Sequence, residues 1–314
     1  MFGRRRLLTS VPALAFAGVC HRAAAASAKV LRVGTQKGAA ILMAECQQRG
    51  LENLLNPLGI DVQWLEFQFG PPIMEAMRAG AVDISIVGDT PPIFAQTANS
   101  DLLYIAAVPA SAEAFLLPAG SNLSTLRDLK GQRIAFARGS SAHNLVIAAI
   151  EKSGLEFGDV KLVALAPADA AAAFERGAID AWTIWDPYYA LYENRPGVRV
   201  LTTSADIATQ NSFLIGSRSF VTANPDITVK VVEELTRTTT WAAANRPDVA
   251  RLVSAGTGVP FEPISRVMQR YPFRIAAITE EHIRSQQAIA DRFLRLGVIP
   301  GKISVATQMW RPNN

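Results

Sequence analysis

The sequence predicts an α/β protein of two similar lobes that face one cleft. Short β-rich runs alternate with amphipathic helical runs, one turn-and-strand pattern occurs twice, and 314 residues suffice for two cores. Residues 30–35, 62–67, 82–87 and 103–108 read as strands, as do 133–137, 160–165, 179–185 and 198–202. The clearest helix between them carries Ala142, Leu145, Val146, Ala149 and Ile150, which share one face at helical spacing. Alternation of this kind makes a largely parallel sheet covered by helices.

The repeat is specific. Gly80-Ala81-Val82-Asp83 ends a helix and opens a strand, and Asp89 follows nine residues after Gly80. Gly177-Ala178-Ile179-Asp180 does the same, with Asp186 nine residues after Gly177. Each aspartate stands beside a proline able to begin a helix, in Asp89-Thr90-Pro91 and Asp186-Pro187. Upstream, each copy has a strand that runs into a basic residue, a glycine and a helix: Gln36-Lys37-Gly38 and Arg138-Gly139-Ser140-Ser141. Two units of one plan imply two lobes, and ligands of such sheets bind outside the carboxyl ends of the strands. Residues 217–314 read mostly as helix. Asn224-Pro225 opens one helix, running to about Ala244. Thr279 caps another, with an inner stripe of Ile283, Gln287, Ala290, Phe293 and Leu294 and a stop at Gly297. The simplest expectation packs this tail onto the first lobe.

Residues 1–28 read as an export signal: a basic head at Arg4, Arg5 and Arg6, an apolar run too short to span a bilayer, and Ala26-Ser27-Ala28 as a cleavage site. The head fits either a twin-arginine or a general secretory signal. Val19 before Cys20 is too bulky for the usual lipid-attachment pattern. Losing the segment's four arginines brings the 31 basic residues level with the 27 acidic ones. A neutral mature surface gives no footprint for nucleic acid or anionic lipid. One remaining cysteine, Cys46, excludes an intramolecular disulfide, and with His143 and His282 it makes a poor metal set. No metal or other cofactor is expected.

The chemistry gathers at the strand-to-helix turns. A helix N-terminus offers unpaired N–H groups and a positive dipole end to an anion. Ser140, Ser141 and Thr90 add hydroxyl donors, and Gln36 and Asn144 add amides. Singly, Ser141 and Thr90 read as helix caps; their convergence at the turns of both lobes favours an oxyanion site. Trp185, at a strand end, suits the wall against an apolar ligand group, whereas Trp182 suits the core. Asp89 and Asp186 fit N–H groups of their own turns or a ligand amine, and the turn role is preferred. His143 is open to ligand contact or to a solvent-facing place. Cys46, with no histidine nearby in sequence, fits core packing better than a nucleophile.

At these same turns the chain resembles the aliphatic-sulfonate-binding proteins of bacterial ABC importers. The resemblance is carried by Gln36-Lys37-Gly38, the run from Gly88 to Gln96, Gly139-Ser140-Ser141-Ala142-His143-Asn144 and Trp182-Thr183-Ile184-Trp185-Asp186-Pro187-Tyr188, and it extends over nearly the whole mature chain. It implies a type II periplasmic-binding-protein fold, with two Rossmann-like lobes joined by a two-strand hinge. Residues 29–108 plus 216–314 would form lobe 1, and 109–215 lobe 2. It further implies a monomeric, non-enzymatic periplasmic protein that hands a small anion, an alkanesulfonate, to an inner-membrane permease. The implied ligand residues are Gln36, Gly88, Asp89, Thr90, Ser140, Ser141, His143, Asn144, Trp185 and Asp186. Relatives on this fold bind taurine, nitrate or a thiamine precursor, and a few, the sulfinate desulfinases, are cysteine enzymes. One departure is the crossover at 107–113, shorter than usual there.

Overall fold

The computed structural model describes residues 30–98 and 100–311, so the export signal and its cleavage site lie outside the described residues. Ten strands occur in chain order: β1 (Val30–Gln36), β2 (Asp61–Phe67), β3 (Ile84–Gly88), β4 (Leu102–Pro109), β5 (Glu113–Leu117), β6 (Arg133–Phe136), β7 (Lys161–Ala164), β8 (Ala181–Trp185), β9 (Arg199–Thr203) and β10 (Asn211–Ser217). They form two five-stranded sheets, in the orders β2-β1-β3-β10-β4 and β7-β6-β8-β5-β9. In each, three strands run parallel, and the fourth position holds an antiparallel strand that also pairs with the fifth. The chain crosses between sheets twice, at residues 110–112 and 204–210. Helices cover both faces of both sheets, which is why β3, β5 and β8 are almost wholly buried rather than alternating. All eight expected strands are present. The two unread ones, β5 and β10, are the antiparallel strands that receive the crossovers.

The repeated tetrapeptide has a structural cause. Gly80 and Gly177 both end helices at positive φ, 75° and 66°, where L side chains are strained. The carboxylates of Asp83 and Asp180 accept the backbone N–H groups of Arg32 and Arg133, at 2.8 and 2.7 Å. Each of those arginines also donates its guanidinium to the carbonyl of Gly80 or Gly177. One aspartate–arginine clasp thus ties the start of each sheet to the end of a helix, once per lobe.

The tail departs from its simplest expectation. Helix Pro225–Ala244 does bury Ile227, Val231 and Leu235 in the core of the first sheet, with Leu31 and Val33. Helix Glu280–Arg295 does not stay there. Its Ile289, Ala290 and Phe293 share the core of Phe115, Leu145 and Ile150, in the second lobe. Its buried stripe is Gln286, Ile289, Ala290 and Phe293, rotated from the expected one, with Ile283 and Gln287 only half-buried. The rotation follows from two partners: Gln286 Nε2 donates to the Tyr104 hydroxyl at 3.1 Å and to the Asp89 carbonyl. Thr279 caps the helix as expected, its hydroxyl accepting from the His282 N–H.

His143 lies in the seam where this helix meets Ser141–Ser153. Its ring centroid is 4.7 Å from that of Phe136, 5.3 Å from Phe293 and 5.9 Å from Phe94. Buried to 4% exposure, it is not solvent-facing, which corrects that reading, and it is not among the residues that line the cleft described below. Burial, helped by the Arg138 charge, pushes its pKa from 6.5 down to about 4.

Two outcomes follow from this packing. Asp83→Ala and Asp180→Ala should each lower the unfolding free energy in urea by about 1–3 kcal/mol, because each strands N–H groups; if neither variant differs from the parent, the clasps do not hold the lobes. The unfolded chain protonates His143 near 6.5 and the folded one only near 4. This residue's contribution is therefore lost as pH falls through that window, by up to about 3 kcal/mol. The stability gap between parent and His143→Phe should narrow or invert over that range, and a constant gap would refute the assignment.

Candidate functional site

One cleft collects the carboxyl ends of strands from both sheets. Its cavity is small, about 40 Å³, and opens to solvent. Gln36 ends β1 and Gly38 follows it, Val87 and Gly88 end β3, Ser140 and Ser141 follow β6, and Trp185 ends β8. The first crossover adds Ser111, the strands that follow the two crossovers add Glu113 and Ser212, and Tyr271 also lines the cleft. Among the described residues that line it there is no lysine, arginine or histidine.

The lobes touch here. A Cβ on Gly88 would stand 3.0 Å from that of Ser141, and one on Gly38 would stand 3.0 Å from the Trp185 ring. Both glycines therefore permit an approach that any larger residue would obstruct. The Ser111 hydroxyl donates to the Gly38 carbonyl at 2.9 Å, fixing the short crossover against the first turn. Gln36 donates Nε2 to the Ile86 carbonyl at 3.2 Å.

The donors come from the turns after the first strand of each lobe. Helix Ser141–Ser153 begins with Ser140 in extended backbone, and its first N–H groups have no intrahelical acceptor. Helix Ala40–Gln48 begins behind Gly38, its N-cap Ala39 lacking a side-chain cap, so its first N–H groups likewise have no intrahelical acceptor. Ser140 spends its hydroxyl on the Ala137 carbonyl at 2.7 Å, so Ser141 holds the freer hydroxyl. The corresponding turn at Asp89 is different. Thr90 gives its hydroxyl to Asp89 at 2.8 Å, and Pro91 and Pro92 have no N–H to offer. Four equivalent anion-binding helix ends were expected; two are equipped.

Of the ten expected ligand residues, Gln36, Gly88, Ser140, Ser141 and Trp185 line the cleft. Asp89, Thr90, His143, Asn144 and Asp186 do not. Asn144 instead bridges lobes, donating Nδ2 to Asp89 at 3.0 Å and accepting from Arg292 at 2.9 Å. Asp89 has no exposed surface, and burial raises its pKa to about 6 despite these partners. Asp186 accepts the Ala190 N–H at 3.1 Å, in keeping with a turn role, and pairs with Arg270 Nε at 2.8 Å. Arg270 also reaches Glu193 at 2.9 Å. Trp182 is wholly buried in the second lobe's core, packed on Phe174 and Tyr192.

Sequence reading missed Glu113, Ser111, Ser212 and Tyr271. The short crossover was the one signal for the first two. Glu113 is 2% exposed, takes the Gln210 amide at 3.1 Å and shares a hydrogen bond with Ser141. Burial, reinforced by the nearby Asp89 and Asp186 charges, pushes its pKa up to about 8. Cys46 is half-buried on helix Ala40–Gln48, away from the cleft; burial and the charges of Glu52 and Glu45 raise its thiol to about 11. A thiol in that state is a poor nucleophile.

Known proteins share this arrangement. The NMT1/THI5-like family matches residues 57–250. A curated relative from Escherichia coli (strain K12), described as an aliphatic sulfonates-binding protein, is 35% identical over 293 residues, which are 92% of this chain and 91% of the relative. The alkanesulfonate-binding protein SsuA of Xanthomonas axonopodis pv. citri, solved with MOPS bound, aligns with a TM-score of 0.85 at 35% identity, over 91% of this chain and 99% of that one. The periplasmic aliphatic sulphonate binding protein SsuA of Escherichia coli aligns at 0.84 with 34% identity, over 92% and 94%. These relatives are binding proteins rather than enzymes, and a chain with their fold, their cleft between lobes and this degree of identity belongs to the aliphatic-sulfonate-binding family within the NMT1/THI5-like proteins.

Proposed function

We propose that this protein captures an aliphatic sulfonate in the cleft between its lobes, in the periplasm, and delivers it to the permease of an ABC importer. The observation that carries the reading is the cleft's wall of neutral donors without a basic side chain. A sulfonate spreads one negative charge over three oxygens, so several N–H and O–H donors can share it without a cation. Trp185 supplies an apolar wall beside those donors, which gives a place for an alkyl group that nitrate lacks. The MOPS held by the Xanthomonas relative has this composition, a sulfonate on a short carbon chain. Export with cleavage near Ala28, a monomeric state and lobes of 29–108 plus 216–314 and 109–215, with helix Glu280–Arg295 packed across to the second, complete the proposal.

A ligand bound only by the folded state raises its melting temperature. Butanesulfonate should therefore stabilise the mature protein, and amino acids and sugars should not. Ser141→Ala removes a donor to a charged group and should cost about 1.5–3 kcal/mol of binding, hence about tenfold or more in Kd. Ser140→Ala should cost less, since its hydroxyl is already engaged. Trp185→Ala should weaken butanesulfonate more than methanesulfonate. A melting curve shifted by nitrate but by no sulfonate would overturn the ligand assignment and leave the fold untouched.

A further inference from the structure

We propose that Glu113 is a positioning residue that keeps its proton while ligand is bound and thereby aims the Ser141 hydroxyl at the anion. This rests on the cleft being the sulfonate site. Glu113 stands at the start of β5, on the cleft wall, as the one carboxyl among the described residues that line it. An ionised carboxylate there would face the ligand's negative charge with no basic side chain on the wall to offset it. The guanidinium of Arg270, next to the buried Asp186, is already engaged by Asp186 and Glu193.

The hydrogen bonds give the proton a place. Gln210 Nε2 donates to Glu113 Oε2 at 3.1 Å, so that oxygen acts as acceptor. The Glu113 N–H is satisfied by the Ser204 hydroxyl at 3.4 Å. The partner left for a carboxyl O–H is Ser141, which shares a hydrogen bond with Glu113 and lines the same cleft. With Glu113 protonated, its O–H donates to Ser141 Oγ, and the serine hydrogen is free to donate to a sulfonate oxygen. With Glu113 ionised, Ser141 must turn and donate to the carboxylate, and the ligand loses that donor while gaining a repulsive charge.

Burial first, then the charges of Asp89 and Asp186, favour the protonated form, and together they outweigh the hydrogen bonds from Ser141 and Gln210, which lower the pKa. Asp89 and Asp186 are both acidic and buried, and both raise its pKa. Tyr271, across the cleft, has its phenol pushed up by burial and stays neutral. Asp89 itself titrates near 6, so a change in binding on the alkaline side of neutrality belongs to Glu113.

Calorimetry of butanesulfonate binding to the full mature protein between pH 7 and pH 9.5 tests this. Affinity should fall by about tenfold or more across that range, with uptake of close to one proton per ligand at the alkaline end, measured in buffers of different ionisation enthalpy. Glu113→Gln keeps an N–H donor toward Ser141 at every pH. It should retain binding within about tenfold of the parent and lose the pH dependence. A parent affinity that is flat with pH, or a Glu113→Gln variant with the parent's slope, would overturn the proposal. Should the variant fail to fold, the parent's proton count decides alone: none taken up refutes the protonated carboxyl. Absence of butanesulfonate binding by the parent at every pH would instead bring down the reading of the cleft itself.

Discussion

Holding a negative charge without a positive side chain is the constraint on which the rest of the structure depends. The cleft wall offers N–H and O–H groups, chiefly from the helix ends at Gly38 and Ser141 and from the Ser141 hydroxyl. Neutral donors match a charge only when several converge and bulk water is kept out, because their strength grows as the local dielectric falls. Convergence needs both lobes at once. That explains glycine at positions 38 and 88, where a side chain would strike Trp185 or Ser141. It also explains why the basic residues after β1 and β6, Lys37 and Arg138, leave the wall to neutral groups.

The same economy governs the acids. Asp89 and Asp186 end equivalent strands in the two lobes, and an open carboxylate at either place would oppose an anion. Each is buried and bound to groups from outside its own lobe's sheet. Asp89 takes Thr90 and then Asn144 from the other lobe, with Arg292 behind it. Asp186 takes the backbone of Ala190 and the guanidinium of Arg270, from the tail. The acids thus serve as anchors between the parts that must meet for the cleft to close. Helix Glu280–Arg295 belongs to this scheme, since it reaches the first lobe through Gln286 and the second through Phe293 and Arg292.

Much of this was legible in the sequence, and for identifiable reasons. Most of the parallel strands announced themselves because they run into a glycine or an aspartate at a turn, and the repeated G-A-[V/I]-D exposed the two-lobe plan. β5 and β10 escaped because Glu-Ala-Phe-Leu-Leu and Asn-Ser-Phe-Leu-Ile-Gly-Ser are buried on both faces and so show no alternation. Of the residues that line the cleft, Ser141 and Trp185 could be placed there from their positions just after and at the end of a strand. Thr90 was misread because its hydroxyl has a nearer acceptor in Asp89 and the prolines behind it silence the helix end. His143 was misread because its surroundings come from three separate segments, at Phe94, Phe136 and Phe293, that no local pattern connects. Glu113 opens β5 just after the crossover, and its meaning depends on Ser141 and Gln210, which are distant in sequence.

The central claim is that an anion is held here by neutral donors from both lobes. A crystal structure of the protein with butanesulfonate tests it most directly. The sulfonate should lie between Gly88 and Ser141, its oxygens within hydrogen-bond distance of the Ser141 N–H and hydroxyl, its carbon chain against Trp185, and no lysine or arginine in contact. A sulfonate paired with a guanidinium or an ammonium group, or seated outside the wall of Gln36, Gly88, Ser141 and Trp185, would contradict it.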